Sequence, residues 1–216
     1  MRAAAARAVL VLIVAMLAGL VHADAEPSRR GQLGATVIHG SAISDNAVQD
    51  NSVMRTSLAG VKPGMSVTIR KARSADLGII YDIRRDAILG IDSGDFGVIE
   101  RQAWADRRSP EFFAGRVATG DVVLAVSGSN GLGWGSSSGD YISGVYVRSS
   151  LGRTGVGRAI MSRLESDIVK RGHECATLDS SPNAAGFYIK LGYALVGLPD
   201  NAGALPMRKT VRVPDP

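Results

Sequence analysis

The sequence has few of the residues that build metal clusters and disulfides. Its 216 residues include one cysteine, three histidines and only 5% aromatic residues. The single Cys175 excludes an intrachain disulfide and a cysteine-based cluster, and the histidines show no ligand spacing. We therefore expect no metal site, and we interpret Cys175 as a buried strand residue rather than a nucleophile.

The chain also lacks any run of basic residues. Its 25 Lys and Arg against 20 Asp and Glu give a formal net charge of +5, but these residues are spread along the chain without interleaved aromatics. This pattern does not favour a nucleic-acid partner. A net positive charge does suit an anionic cofactor or an acidic substrate.

A long continuous apolar run occurs near the N-terminus. Arg2 and Arg7 flank an alanine run, residues 8–20 are apolar, and Ala23-Asp24-Ala25 has the small-x-small form of a cleavage site. Residues 1–25 are therefore predicted to be a signal-like segment, which is too short to span a bilayer comfortably. The alternative is that translation starts further downstream.

The next stretch, residues 26–64, carries little pattern and is predicted to be a linker or a disordered extension. Ordered patterning begins abruptly at Met65. We therefore assign residues 65–216 to one folded domain and favour a translation start near Met65.

Patterning after residue 65 predicts an α/β (α+β) domain with one mixed, mostly antiparallel sheet of about six to seven strands and four flanking helices. Strands are predicted at residues 66–71, 122–126, 132–135, 141–148, 175–178, 193–196 and 207–211. Helices are predicted at residues 74–94, 98–107 and 158–171, and from Ser181 onward.

A glycine-rich turn connects the strand at 141–148 to the helix at 158–171. Gly152, Gly155 and Gly157 allow the backbone to approach a ligand and to turn its N–H groups outward. The following helix adds the positive end of its dipole, so the turn is suited to an anion such as phosphate. The spacing differs from that of dinucleotide folds, and no Gly-Lys-Ser/Thr follows as in a P-loop. The glycines could equally serve only to begin a helix.

Three segments together resemble the GNAT superfamily of N-acetyltransferases. They are VYV at 145–147, GRTGVGRAI at 152–160 and SPNAAGFYIKLGY at 181–193. Gly155 and Gly157 match the two small positions of the family's loop, whereas Gly152 stands where the family usually has Gln or Arg. The resemblance covers roughly residues 66–211 and implies one domain whose sheet splays open at the acetyl-CoA site.

The resemblance also implies which residues bind acetyl-CoA as co-substrate. Loop amides would hold the pyrophosphate, and the strand at 145–147 would bind the pantetheine arm and donate an N–H to the thioester carbonyl. Asn183 would contact the pantetheine or its strand and would also serve as an N-cap, although a cap alone is an alternative. Arg153 and Arg158 could contact phosphates or be solvated. The predicted cofactor-binding residues are Val145, Tyr146, Val147, Gly152, Arg153, Thr154, Gly155, Val156, Gly157, Arg158 and Asn183.

Two residues are candidates for catalysis. Tyr188 matches the family tyrosine whose hydroxyl can protonate the leaving thiolate. Many family members use a glutamate on the strand at 141–147, or a chain of waters, as the base. This strand offers Asp140 at its start, which we take as the candidate base, although an aspartate at the end of a turn is usually structural.

The function that the resemblance implies is N-acetyl transfer from acetyl-CoA to a primary amine, by direct attack in a ternary complex. Alternatives are a non-catalytic acyl-CoA-binding or sensor domain of the same fold, and an exported binding protein. Because acetyl-CoA is cytosolic, we expect a cytoplasmic protein; anchoring or export through residues 1–25 is the alternative. The acceptor amine and the oligomeric state, including a homodimer, stay open.

Overall fold

Eight strands form one sheet in a computed structural model that describes residues 54–56, 66–91, 97–201 and 203–211. The strands are β1 (Met54–Thr56), β2 (Val67–Lys71), β3 (Val122–Ser127), β4 (Asn130–Ser138), β5 (Tyr141–Val147), β6 (Cys175–Ser180), β7 (Ala194–Leu195) and β8 (Leu205–Thr210). Their order across the sheet is β1-β2-β3-β4-β5-β6-β8-β7. All neighbouring strands are antiparallel except β5 and β6, which are parallel.

Five α-helices accompany the sheet in the described chain. They are α1 (Leu77–Leu89), α2 (Val98–Asp106), α3 (Ala114–Ala118), α4 (Val156–Lys170) and α5 (Ala185–Ile189). None of the helices within these described residues is long and apolar enough to cross a membrane.

The predicted fold class and order of elements are confirmed, with two additions. Helix α3 follows a one-turn 3-10 helix at Pro110–Phe113 and was not anticipated. Strand β1 pairs with β2 and lies inside the stretch 26–64, for which the sequence indicated a linker. The rest of that stretch and the signal-like segment at 1–25 lie outside the described residues.

Strand β3 lies at the centre of the fold because both of its faces are covered. Successive side chains of a strand point to opposite faces. Val123 and Ala125 pack in the cluster that includes α4, whereas Val122 and Leu124 pack in the cluster that includes α1 and α3. Burial on both faces explains why this strand is a continuous apolar run rather than an alternating one.

Helix α4 covers one face of the sheet with an apolar stripe at helical spacing. Val156, Ile160, Leu164 and Ile168 are fully buried in the cluster that also contains residues of β3, β5 and β6. A Cβ added to Gly135 of β4 would lie 2.7 Å from Ile160 Cγ2. Glycine in β4 therefore allows α4 to approach the sheet closely.

The carboxylate of Asp167 links α4 to the end of β2. The Lys71 Nζ donates to Asp167 Oδ2 at 2.9 Å, and the Arg163 Nε donates to Asp167 Oδ1 at 2.9 Å. Burial alone would raise the pKa of the Asp167 carboxyl, but the hydrogen bonds and charges of Lys71 and Arg163 outweigh burial and lower this pKa.

We expect Asp167→Asn to lower the free energy of unfolding by about 2 kcal/mol at pH 7, because two cations at a largely buried site lose their counter-ion. The folded-state pKa of Asp167 is lowered, so its stabilisation is present above the ordinary carboxyl pKa of about 4 and is lost as the pH falls through the folded-state pKa. Urea unfolding at pH 7 and pH 3 measures both values. The difference between variant and wild type should shrink at pH 3.

Asp106→Asn serves as a matched control for this prediction. Asp106 also forms an ion pair, with the Arg85 Nε 2.9 Å away, but both side chains are well exposed. Its substitution should change stability little at either pH. Equal effects of the two substitutions would contradict the role assigned to Asp167.

Candidate functional site

Strands β5 and β6 diverge after only two paired residues. Tyr141 is opposite Thr177 and Ile142 is opposite Leu178, and no later residues of these described strands pair with each other. β5 remains paired with β4 as far as Val147, while β6 remains paired with β8. The sheet therefore opens into a fork, and the edge of β5 at residues 145–147 faces the gap without a strand partner. The predicted splay is confirmed.

A β-bulge in β5 coincides with the point where the fork opens. Gly144 is opposite Ser136, but Ile142 is opposite Ser137, so Ser143 is an extra residue on β5. A bulge bends its strand and increases the local twist. The bulge therefore accounts for the divergence of β5 from β6, which continues straight along β8.

The loop after β5 presents backbone N–H groups at the mouth of the fork. Arg153 and Gly155 both have left-handed backbone angles, with φ of 63° and 92°. Within the described chain, the N–H groups of residues 155–158 donate to no protein acceptor, as expected for the first turn of a helix. The Thr154 hydroxyl donates to the Leu151 carbonyl at 2.7 Å and braces the loop.

Helix α5 closes the site beside the loop. A Cβ added to Gly157 would lie 3.3 Å from Phe187 Cζ and 3.6 Å from Val147 Cγ2. The start of α4, the end of β5 and α5 thus meet at one point. Tyr188 of α5 is 9% exposed and belongs to the apolar cluster against which Val145 also packs.

Burial makes the Tyr188 hydroxyl less acidic than an exposed phenol. It raises the pKa of Tyr188 to about 12. The phenol is therefore neutral near pH 7 and can donate a proton. Aromatic rings surround it, with the ring centroids of Phe187 and Tyr193 at 5.1 Å and 5.9 Å.

Comparison with known proteins identifies the family of this chain. The family model described as an acetyltransferase (GNAT) domain matches residues 90–211, more than half of the sequence. The chain belongs to the GNAT acetyltransferases. No curated protein sequence matches it.

Solved structures of GNAT proteins share the fold. A GCN5-related N-acetyltransferase from Rhodopseudomonas palustris is 25% identical, with a TM-score of 0.58 over 66% of this chain and 94% of that one. The PaiA N-acetyltransferase of Thermoplasma acidophilum, in complex with coenzyme A, is 19% identical, with a TM-score of 0.60 over 68% and 99%. The N-acetylglutamate synthase of Neisseria gonorrhoeae, complexed with coenzyme A and N-acetyl-glutamate, is 14% identical, with a TM-score of 0.53 over 68% and 35%.

Most of the residues singled out in the sequence of this GNAT chain come together at the fork. Residues 145–147 form the unpaired edge, residues 152–158 form the loop, and Tyr188 lies in the adjoining cluster. Arg153 and Arg158 are exposed at the loop. A Cβ at Gly152 would lie 3.6 Å from the Ser149 carbonyl oxygen, an ordinary contact, so the backbone position would accept a residue with a Cβ.

Asn183 lies in a one-turn 3-10 helix at Pro182–Ala184, just after β6, with an exposed side chain. The predicted role of Asn183 as an N-cap is wrong. Ser181 occupies the N-cap of that turn and Ala184 the N-cap of α5, because the chain makes a 3-10 turn before the α-helix begins. A contact from Asn183 to a cofactor remains a prediction.

Asp140 is not brought to the loop. It ends the turn before β5, where its carbonyl oxygen accepts a bond of 2.9 Å from the Thr177 N–H. Val145 is five residues further along β5, roughly 17 Å in an extended strand. The catalytic role of Asp140 therefore remains a prediction that this position does not favour.

Sequence reasoning missed two polar residues at the fork. Ser143 is the bulged residue of β5. Asp179 is the first residue of β6 after the two residues that pair with β5. No local sequence pattern predicts the bulge. Asp179 did have a signal, since it is the one charged residue of the strand CATLDS and lies two residues before the SPNAAGFYIKLGY segment.

Proposed function

We propose that this chain binds acetyl-CoA and transfers its acetyl group to a primary amine within a ternary complex. The observation that carries the proposal is the fork itself. It combines an unpaired strand edge with a loop in which the N–H groups of residues 155–158 have no protein acceptor in the described chain. An extended amide chain ending in a pyrophosphate has the complementary groups for both features.

Residues of the loop and of β5 would hold the donor. The N–H groups of residues 155–158, at the positive end of α4, suit the pyrophosphate. The edge of β5 at residues 145–147 suits the two amides of the pantetheine arm. Acetyl-CoA supplies an activated thioester, and an N–H of this edge would stabilise the oxyanion that develops on its carbonyl, an effect of about 3 kcal/mol in comparable sites.

The reaction needs no covalent enzyme intermediate. A C–N bond forms as the neutral amine attacks, the C–S bond breaks, the nitrogen loses a proton to solvent water, the thiolate gains one from an acid, and that acid is reprotonated by solvent. Tyr188 would supply the proton to sulfur, because its phenol is neutral near pH 7 and lies at the fork. Cys175 does not act as a nucleophile in this proposal. It lies at the start of β6, partly exposed rather than buried as expected, and its Sγ accepts a bond of 2.9 Å from the Arg208 guanidinium.

A thermal-shift titration of the full chain with acetyl-CoA tests the proposal, followed by an assay of thiol release in the presence of amines. A ligand at 100 times its Kd stabilises the folded state by about 2.7 kcal/mol. For a chain of this size we expect Tm to rise by roughly 5–10 °C. No rise with a folded protein would contradict the proposal.

The same two measurements distinguish the alternative functions. A rise in Tm without thiol release for any amine would favour a non-catalytic acyl-CoA-binding domain. The substitution of Gly152 for the usual Gln or Arg is the feature that keeps this alternative open. Because acetyl-CoA is a cytosolic metabolite, acetyl transfer would imply that the domain works in the cytoplasm.

A further inference from the structure

The carboxylate of Asp179 lies at the fork and has no role in the acetyl transfer proposed above. Asp179 follows Leu178, the last residue of β6 that pairs with β5. Leu178 and Ser180 on either side are buried, and Leu178 packs in the cluster that includes α4. Because strand side chains alternate, Asp179 points to the opposite face of the sheet.

That opposite face is the one that α1 and α3 cover further along the sheet. Phe113, Val117 and Trp134 form its apolar cluster, and Tyr146 of β5 packs against it. Ser143 also points to this side, since its hydroxyl lies 2.6 Å from the Arg116 guanidinium of α3. Asp179 therefore lies across the fork from the bulge, on the face away from α4.

The carboxylate of Asp179 is half-buried, and no cation of the described chain pairs with it. The Tyr141 hydroxyl donates to its Oδ2 at 3.1 Å. Two arginines on neighbouring elements have other acceptors, because Arg208 donates to the Cys175 Sγ and Arg116 donates to the Ser143 hydroxyl. A carboxylate removed from water without a counter-ion is costly to the fold. Such a group at the opening of a site suits a cationic ligand.

We propose that Asp179 binds the protonated amine of the acceptor, so that this site selects cationic primary amines. This inference rests on the proposed acetyl transfer and adds the class of acceptor. The Tyr141 hydroxyl orients the carboxylate through Oδ2, which leaves Oδ1 to accept a hydrogen bond from the ammonium group. The bound ammonium then releases one proton to solvent water, and the neutral nitrogen attacks the thioester. Asp179 thus determines acceptor specificity and takes no part in binding acetyl-CoA.

The test measures thiol release from acetyl-CoA with three probe amines. The probes 1,4-diaminobutane and benzylamine are cationic at neutral pH, whereas aniline is neutral. We expect wild type to transfer to at least one cationic probe and not to aniline. Asp179→Asn removes the charge but can still accept the Tyr141 hydrogen bond, and it should raise the KM for the cationic amine about 10- to 100-fold.

Two control substitutions distinguish the loss of the carboxylate at position 179 from a general change in the net charge of the protein. Asp82→Asn removes the same charge from an exposed position on α1 and should leave the KM within twofold. Asp179→Glu retains the charge and should recover part of the lost affinity for the amine. The acetyl-CoA-induced rise in Tm should be the same in all these variants.

The outcomes distinguish this inference from the function on which it rests. Absence of any acetyl-CoA-induced rise in wild type would contradict the acetyltransferase proposal itself. If the rise is present, the inference on Asp179 is overturned by an unchanged KM in Asp179→Asn, or by wild type that transfers to neither cationic probe. If Asp179→Asn does not fold, the inference is tested by wild-type kinetics alone. Transfer to aniline as efficient as transfer to benzylamine would then overturn the inference.

Discussion

Gly155→Asp is expected to weaken acetyl-CoA binding more than 100-fold and to abolish the rise in Tm that the ligand induces. Gly155 has φ of 92°, a backbone conformation that residues with a side chain adopt only with strain. The new carboxylate would also stand among the N–H groups proposed to hold the pyrophosphate. Strain and like-charge repulsion act together, and a 100-fold loss corresponds to about 2.7 kcal/mol.

Gly172→Asp provides a matched control for this variant. Gly172 follows the end of α4, has φ of 86°, and an added Cβ would meet no atom within 4 Å. The same residue is therefore introduced into the same backbone region at the opposite end of the helix. Gly172→Asp should lower the Tm of the free protein but keep the acetyl-CoA-induced rise. An equal rise in Gly155→Asp would contradict the assignment of the loop.

Tyr188→Phe is expected to lower kcat about 100-fold, or roughly 2.7 kcal/mol of transition-state stabilisation, with little change in the KM for acetyl-CoA. The reason is that the phenol is proposed to protonate the departing thiolate, a proton that is needed only as the C–S bond breaks. Steady-state kinetics with a saturating amine measure both constants.

The neighbouring Tyr193 supplies the control for this second variant. Its ring centroid lies 5.9 Å from that of Tyr188 in the same apolar cluster, and it is 3% exposed. Tyr193→Phe removes an equivalent hydroxyl and should leave kcat within threefold. A kcat for Tyr188→Phe close to that of wild type would exclude Tyr188 as the acid. Because burial raises the pKa of Tyr188 to about 12, any loss of activity below pH 10 must come from another group.

Local patterning in the sequence was sufficient for most elements of the fold. The apolar run at residues 122–126 predicted β3, and the helical spacing after Gly157 predicted α4, which begins two residues earlier at Val156. These predictions succeed because the period of burial along a chain segment follows from the geometry of that segment alone. The short helix α3 has only five residues, too few to establish a period.

The sequence by itself determined the family, the glycine loop and the segment that carries Tyr188, because each depends on residues that are close together along the chain. Only the tertiary structure decided the fork and the bulge at Ser143. These depend on pairing between distant residues, such as Ile142 with Leu178, and on a one-residue shift of register between β4 and β5. Asp179 became a candidate for the same reason. Neighbouring strands determine which face of the sheet a strand residue points to. They also determine whether a charged side chain has an oppositely charged neighbour on that face.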